Sequence, residues 1–128
     1  MCDNPTLLSP LALAFLGDAV FDLLAREQLL LEANRPAGKL HQAATEIVNA
    51  QSQAERARNL LPLLSEEEAA VFRRGRNASP KHVPGTCTRE AYALATGLEA
   101  LFGWLWLMGR PARAKALYLM NSEAEDIP

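Results

Sequence analysis

The sequence predicts an all-α fold of about five main helices in one domain over residues 1–128. Three observations carry this prediction. Apolar residues recur at the helical spacings of three and four along most of the chain. Proline, glycine and favourable capping residues fall between these periodic stretches. No stretch shows the strict alternation of apolar and polar residues that is typical of half-buried strands.

The first helix is predicted from residue 10 to about residue 32, after a loose N-terminal arm over residues 1–8. Ser9 is a favourable N-cap, and the proline that follows it suits the first helical position. The stretch 34–38 contains a proline and a glycine and is predicted to be a loop. The first helix is therefore long, and it is also strongly apolar.

A second helix is predicted from about residue 39 to residue 61, where Pro62 ends it. Ser65 and Glu68 have the spacing of a capping box, so a third and short helix should begin there and stop near Gly75. The stretch 75–88 contains two prolines and no periodic pattern. It is predicted to be a long loop that either inserts into a groove of a ligand or only connects two helices.

The C-terminal part of the chain predicts two further helices. Thr88 can cap a fourth helix that runs to about residue 108, and Gly109 ends it. Pro111 then begins a fifth helix, predicted to continue to about residue 121. The acidic tail 122–128 is predicted to be disordered. The two most apolar helices, the first and the fourth, should form the centre of the fold.

The most apolar stretches of these two helices contain three acidic residues. Asp18 and Asp22 are the only polar side chains between residues 11 and 24, and Glu99 is the only charge between residues 95 and 108. A buried carboxylate is costly unless something compensates it. Two explanations stay open on spacing alone: Asp18 and Glu99 meet and bind Mg²⁺, which prefers hard oxygen ligands, or each is paired with a basic residue such as Arg26.

Glycines lie beside the acids in both helices. Gly17 precedes Asp18, and Gly97 and Gly103 flank Glu99. Because glycine permits close approach of another backbone, we expect the two helices to be in contact at these positions. Aromatic residues of the same helices are expected to pack in the core or in a dimer interface rather than to stack on bases: Phe15, Phe102, Trp104 and Trp106.

The charge distribution indicates a polyanion-binding surface. The whole chain has a net charge of −2, but residues 69–89 contain five basic residues and no acid. A local basic patch attracts a polyanion more effectively than the net charge suggests. The predicted phosphate-contacting residues are Arg73, Arg74, Arg76, Lys81 and His82. The alternative for the three arginines is a solvated helix end, because cations are favoured at that end of the helix dipole.

The cysteines and the apolar runs indicate in which cellular compartment the protein is expected. Cys2 and Cys87 do not have metal-ligand spacing, and no disulfide is expected between them. No secretory signal opens the sequence, and the apolar run 11–20 is too short to span a membrane. We therefore expect a cytoplasmic protein in a reducing environment.

Three segments together resemble a known family. Residues 15–20, Phe-Leu-Gly-Asp-Ala-Val, resemble the ribonuclease III signature, and residues 98–103, Leu-Glu-Ala-Leu-Phe-Gly, resemble that family's second acidic motif. Residues 11–22, 73–78 and 95–103 resemble more closely the Mini-ribonuclease III branch, which has no double-stranded-RNA-binding domain. The order and separation of the motifs also agree, over about residues 7–119.

The resemblance implies a ribonuclease III-like helical endonuclease domain that cleaves double-stranded RNA with Mg²⁺, or with Mn²⁺ in its place. It implies a homodimer whose signature helices pack together, products with 5′-phosphates, and the precursor of large-subunit (23S) ribosomal RNA as substrate. Asp18 and Glu99 match the family's catalytic, metal-binding pair. The alternative is a non-catalytic RNA-binding scaffold such as some ribosomal proteins with this fold, which lack the acids that are intact here.

The chain departs from the larger members of the family at three positions. Those enzymes carry acids where this chain has Leu11, Ala14 and Thr96. Fewer carboxylate ligands imply weak Mg²⁺ binding, held largely through water until RNA phosphates complete the coordination, and they leave open whether one or two ions act. Asp22 either supports the ion through a bound water or is a solvated acid paired with Arg26.

Overall fold

The structure is a computed structural model that describes residues 3–80, 85 and 87–126, with the backbone alone for residues 121–126. This part of the chain contains six α-helices, two short 3₁₀ helices and no strand, which confirms the all-α prediction. The α-helices are α1 (Pro10–Glu32), α2 (Ala37–Val48), α3 (Ala50–Leu60), α4 (Glu66–Ala78), α5 (Arg89–Leu107) and α6 (Pro111–Asp126). None of the described helices has the length and apolarity required to cross a membrane.

Helix α5 lies at the centre of the fold and packs chiefly on α1, then on α4 and α3. All six residues from 100 to 105 are buried. The ring of Phe21 on α1 packs against two other rings, with centroids 5.6 Å from that of Phe102 on α5 and 5.5 Å from that of Tyr118 on α6. The two most apolar helices therefore form the core, as the sequence predicts.

Helices α1 and α5 touch backbone to backbone at two glycines. A Cβ atom on Gly17 would lie 1.6 Å from the carbonyl oxygen of Glu99, and one on Gly103 would lie 2.0 Å from the carbonyl oxygen of Leu13. Any larger residue at either position would force the helices apart. The predicted contact is confirmed, and Gly97 packs instead against Phe72 of α4.

The single helix predicted from residue 39 to residue 61 is wrong, because the chain breaks at Asn49 into α2 and α3. The backbone of Asn49 is extended (φ −80°, ψ 159°), and its side-chain oxygen accepts a hydrogen bond from the Ser52 amide at 2.9 Å. Its side-chain nitrogen donates to the carbonyl oxygens of Thr45 and Glu46, both at 3.0 Å. One asparagine thus supplies hydrogen-bond partners for backbone carbonyl groups at the end of α2 and for a backbone amide at the start of α3.

The other predicted caps are present. The Ser9 hydroxyl accepts from the third amide of α1, and the Thr88 hydroxyl accepts from the third amide of α5. Helix α4 begins with the capping box but continues past Gly75 to residue 78. Gly75 is buried, and a Cβ atom there would lie 2.6 Å from the Cβ of Ala100. It is a packing glycine rather than a helix terminator.

At both ends of the chain, the described residues are helical where the sequence predicts a loose arm or a disordered tail. Residues 5–7 form a 3₁₀ helix, and Thr6 is held by the indole of Trp104, whose Nε1 donates to its hydroxyl at 3.0 Å. Arg74 also donates to the carbonyl oxygens of Thr6 and Leu8, at 3.1 and 3.3 Å. At the other end α6 continues to Asp126 rather than stopping near residue 121.

Glu68, in the capping box, also forms a partly buried ion pair with Arg113 of α6. The residue is 3% exposed, and its carboxylate accepts hydrogen bonds from Nε and Nη2 of Arg113, at 2.8 and 2.9 Å, and from the Ser65 amide at 2.9 Å. The hydrogen bonds from Arg113 are the main reason that the pKa of Glu68 is lowered. This pair ties the start of α4 to α6.

Candidate active site

The glycine contact between α1 and α5 brings two carboxyl groups together. Asp18 follows Gly17 on α1, and Glu99 is the residue whose backbone touches Gly17. The two side chains lie within hydrogen-bonding reach of each other. Asp18 is exposed and Glu99 is partly buried, so the pair lies at the surface end of the helix crossing.

The pair lines an open cavity of about 430 Å³. Leu11 and Ala14 of α1 and Thr96 of α5 line it as well, and these are the three positions where the sequence lacks the acids of larger enzymes. Gln53 of α3 and Pro80, just after α4, also line the cavity. Four segments that are distant in sequence therefore converge on the two acids.

The cavity holds two acidic groups close together without a basic group paired to either in the described part of the chain. Burial, which is the largest cause, and the hydrogen bond and charge of Asp18 together raise the pKa of Glu99 to about 8. The side chain of Gln53 acts in the opposite direction. No basic side chain in the described part of the chain forms an ion pair with Asp18 or Glu99. The alternative in which each acid pairs with a basic residue is therefore not observed among the described residues.

Arg26, the basic partner considered from the sequence, pairs with Asp22 instead. Its Nε lies 3.0 Å from the carboxylate of Asp22, one turn away on α1. Asp22 does not line the cavity. For Asp22 the structure thus favours the ion-pair alternative over support of a metal ion.

The donor atoms of the cavity suit a hard divalent cation. Two carboxylates from separate helices are the ligands that Mg²⁺ prefers, and a cation between them would offset the burial and the nearby Asp18 that raise the pKa of Glu99. Within the described ranges no group of three or more acids, histidines or cysteines has metal-binding geometry. The hydroxyl of Thr96 is already used, since it donates to the carbonyl oxygen of Tyr92 at 2.9 Å.

The predicted RNA-contacting residues occupy different environments. Arg73 is exposed, and its side chain makes no ion pair or hydrogen bond within the described residues. Arg74 holds the N-terminal segment, as described above, and Arg76 lies against Asn77, with Nε 3.4 Å from its side-chain oxygen. Lys81 and His82 lie outside the described residues. Pro80, which follows α4, lines the cavity, so the C-terminal end of α4 lies near the two acids.

Sequence reasoning missed Gln53 and Tyr92, which both line the cavity. A signal for Gln53 was present. It lies on α3 between Ala50 and Ala57, at helical spacings of three and four, on the stripe that faces the core. An amide on a buried stripe of small apolar residues needs a partner, and that need distinguishes it from the exposed polar residues around it.

Comparisons with known proteins agree with this architecture. The family model described as the ribonuclease III domain matches residues 11–110. A Mini-ribonuclease 3 of Thermoanaerobacter sp. (strain X514) is 44% identical over 108 residues, which cover 84% of this chain and 76% of that protein. One from Synechococcus sp. is 48% identical over 110 residues, covering 86% and 78% of the two chains. A crystal structure of a Fusobacterium nucleatum protein superposes with a TM-score of 0.82 at 31% identity, covering 91% of this chain and 93% of that one.

Proposed function

Because the chain belongs to the ribonuclease III family, on its Mini-ribonuclease 3 branch, we propose that it cleaves double-stranded RNA at the cavity that holds Asp18 and Glu99. One observation carries the assignment of the site. Two carboxyl groups from separate helices meet in an open cavity with no basic partner among the described residues. Such an arrangement destabilises the metal-free fold and is typical of a site that binds a cation.

Asp18 and Glu99 hold Mg²⁺ in this proposal, and Mn²⁺ can replace it. When bound, the ion supplies an activated water and neutralises charge on the phosphodiester. Leu11, Ala14 and Thr96 offer no carboxylate, so water and RNA phosphate oxygens provide the rest of the coordination. The cleaved strand then carries a 5′-phosphate and a 3′-hydroxyl.

The duplex lies across the cavity and the C-terminal end of α4. Arg73 and Arg76, together with Lys81 and His82 in the following segment, contact phosphates on either side of the cut. Such contacts read the shape of A-form RNA rather than its sequence, and they make binding fall steeply with salt. The proposed substrate is the base-paired end region of the 23S ribosomal RNA precursor, which end mapping in a strain lacking this protein would test.

The exposed apolar face of α1 supports a homodimer. Phe15 is 84% exposed and Leu11 is 46% exposed, and both lie on the rim of the cavity. Exposed apolar patches of this kind mark interaction surfaces. We expect Phe15→Asp to shift the protein from dimer to monomer in sedimentation velocity. A wild-type protein that sediments as a monomer at micromolar concentration would contradict the dimer.

The catalytic assignment is tested with Asp18→Asn and Glu99→Gln. We expect each to lower the rate of duplex cleavage at saturating Mg²⁺ by about a thousandfold or more, since each removes a carboxylate ligand. The thermal midpoint should stay the same or rise, because each variant relieves like-charge repulsion. Asp22→Asn is the matched control on the same helix face, and it should cut at close to the wild-type rate.

Two outcomes would contradict the proposal. Near-normal cleavage by either variant would remove the two acids from the chemistry. Duplex binding by the wild-type protein without any cleavage that a chelator abolishes would instead favour the non-catalytic scaffold.

A further inference from the structure

The two tyrosines of the chain use their hydroxyl groups differently. Tyr118 is 2% exposed, and its hydroxyl donates a hydrogen bond to the side-chain oxygen of Gln28. Tyr92 is partly exposed, and its hydroxyl forms no hydrogen bond with any described residue. That hydroxyl is also open to solvent, so a ligand outside the protein can reach it.

Tyr92 faces the candidate active site from α5. It lies four residues before Thr96 and seven before Glu99, spacings that place the three residues on one face of the helix. All three line the same cavity. Seven residues correspond to about 10 Å along a helix axis, and helical side chains lean toward the N-terminus. The hydroxyl is therefore displaced from Glu99 along the cavity, toward the start of α5.

The other polar side chains that the structure describes in this cavity are already committed. Asp18 and Glu99 offer only acceptors when they are ionised. The Thr96 hydroxyl donates to the carbonyl oxygen of Tyr92, and Nε2 of Gln53 is closed to solvent. Among the described side chains that line the cavity, Tyr92 therefore provides the one open hydrogen-bond donor.

The chemistry of a phenol suits an RNA strand in this cavity. Non-bridging phosphate oxygens are charged and accept strong hydrogen bonds, and tyrosine hydroxyls are among the groups that contact them. A phenol is neutral near pH 7, so it can donate to a phosphate without competing with a cation for the carboxylates. Because Tyr92 is displaced along α5 from Glu99, the phosphate it meets is one that flanks the scissile phosphate.

We propose that the hydroxyl of Tyr92 donates a hydrogen bond to a non-bridging oxygen of a phosphate that flanks the scissile one. Tyr92 is then a substrate-binding residue that fixes the register of the RNA strand over Asp18 and Glu99, and it takes no part in the chemistry. This inference rests on the proposed function, because it requires RNA in the cavity.

The first test compares Tyr92→Phe with Tyr118→Phe, since each removes one phenol hydroxyl and Tyr118 does not line the cavity. Binding of a short RNA duplex is measured by fluorescence anisotropy in chelator. We expect Tyr92→Phe to weaken binding about fivefold, because a hydrogen bond to a charged group is lost. The slope of log affinity against log salt should not change, because a neutral donor releases no counterions.

Stability and rate separate the two tyrosines further. Tyr92→Phe should keep the wild-type thermal midpoint and the wild-type rate of single-turnover cleavage at saturating protein and Mg²⁺, because the fold and the reacting atoms do not use its hydroxyl. Tyr118→Phe should lower the thermal midpoint and leave duplex binding unchanged, because its hydroxyl is bonded inside the chain.

The second test identifies the group that Tyr92 contacts. After the cut site is mapped, each nearby phosphate is replaced in turn by either diastereomer of the uncharged methylphosphonate, with a 2′-O-methyl group on the preceding sugar to keep the linkage stable. The same duplexes with the 2′-O-methyl group and an intact phosphate are the reference. At one flanking position the replacement should weaken binding by the wild-type protein more than binding by Tyr92→Phe, and this difference isolates the contribution of the hydroxyl.

Four results would overturn the inference. Wild-type affinity in Tyr92→Phe, or equal sensitivity of both proteins to every methylphosphonate, would show that the hydroxyl touches no phosphate. A difference already present with the 2′-O-methyl reference would assign the contact to a ribose. Slower cleavage with unchanged binding would place Tyr92 in the chemistry. In all four cases the wild-type protein still binds and cuts the duplex, whereas failure of the proposed function would appear as no cleavage by the wild-type protein.

Discussion

Two glutamates of this small helical protein are sheltered from water, and their pKa values move in opposite directions. Glu68, at the start of α4, has a lowered pKa, chiefly because Arg113 donates two hydrogen bonds to it. Glu99, at the crossing of α1 and α5, has its pKa raised to about 8 by burial and by Asp18. Burial by itself raises the pKa of both acids, so the opposite directions arise from the partner of each acid.

The comparison shows how to separate an acid that stabilises the fold from one that the fold maintains for another purpose. Glu68 has its charge and its hydrogen bonds satisfied inside the chain, and it joins the N-terminus of α4 to α6. Glu99 faces a second carboxyl group and no basic side chain among the described residues, so its charge has no counter-charge inside this part of the chain. The candidate site is therefore recognised by an acid that lacks a basic partner among the described residues, and not by burial of the acid alone.

The largest effect is expected from the contact that positions Glu99. Gly17→Ala places a Cβ atom 1.6 Å from the Glu99 carbonyl oxygen, which forces α1 and α5 apart. We expect a loss of about 3 kcal/mol or more in the free energy of unfolding, measured by urea denaturation, with loss of cleavage. Gly38→Ala is the control, since nothing lies within 4 Å of its Cβ position, and stability should be unchanged or slightly higher.

A Gly17→Ala protein as stable as the wild type would mean that the helices separate without cost. The position of Glu99 would then not depend on the glycine contact, and the comparison would lose its structural basis.

The next largest effect is expected at Glu68, whose charge is paired with Arg113. Glu68→Gln removes the charge that pairs with Arg113 and weakens the capping box, so we expect a loss of about 2 kcal/mol in the free energy of unfolding. The cleavage rate of the folded protein should be unchanged, because Glu68 does not line the cavity. Glu67→Gln is the control: its pair with Arg110, at 3.1 Å, is exposed, and its loss should cost less than about 0.5 kcal/mol.

Reduced cleavage in fully folded Glu68→Gln would contradict the division of roles between the two acids. It would show that the α4–α6 ion pair influences the cavity.

Much of this architecture could be predicted from local sequence. Ser9, Ser65 and Thr88 cap the helices as their residue types and spacings indicate, and Gly17 and Gly103 mark the helix crossing. The resemblance to the ribonuclease III family, drawn from three ordered motifs, is confirmed by the family match over residues 11–110. These signals are readable because capping and close backbone approach depend on residues that are near one another in sequence or on a residue type with one dominant use.

The features that were missed depend on partners distant in sequence. Apolar spacing continues across the break at Asn49 and so hides it, and Gly75 resembles a helix terminator in sequence although it packs against Ala100. The pairing of Glu68 with Arg113 spans 45 positions, and no local pattern specifies it. Gln53 belongs to the cavity only because α3 packs on α5. The roles of Asp18 and Glu99 in catalysis remain predictions.

The two acids should also give opposite dependences of stability on pH in metal-free protein. The raised pKa of Glu99 means that its protonated form is favoured in the fold. Its contribution is fully present below about pH 4.5 and is lost as pH rises toward 8. The lowered pKa of Glu68 means the reverse, so its contribution is present above about pH 4.5 and is lost in acid.

Urea denaturation in chelator from pH 5 to pH 8.5 measures this difference. We expect the free energy of unfolding of the wild type to fall on the order of 2 kcal/mol over this range, and Glu99→Gln to abolish most of the fall. Added Mg²⁺ should restore stability most at the alkaline end, because binding requires the ionised carboxylate. A wild-type profile that matches Glu99→Gln would show that Glu99 has no unusual pKa in solution.

The smallest effects extend the comparison to two adjacent arginines. Arg73 is exposed and unpaired within the described residues, whereas Arg74 donates to the carbonyl oxygens of Thr6 and Leu8 and so holds the N-terminal segment. Arg73→Ala should weaken duplex binding a few-fold and reduce the slope of log affinity against log salt by about 1, with no change in thermal midpoint. Arg74→Ala should instead cost about 1 kcal/mol in the free energy of unfolding and leave the salt slope unchanged. Each variant is the control for the other, and a reversal of the two results would place the RNA contact on the arginine that the fold already uses.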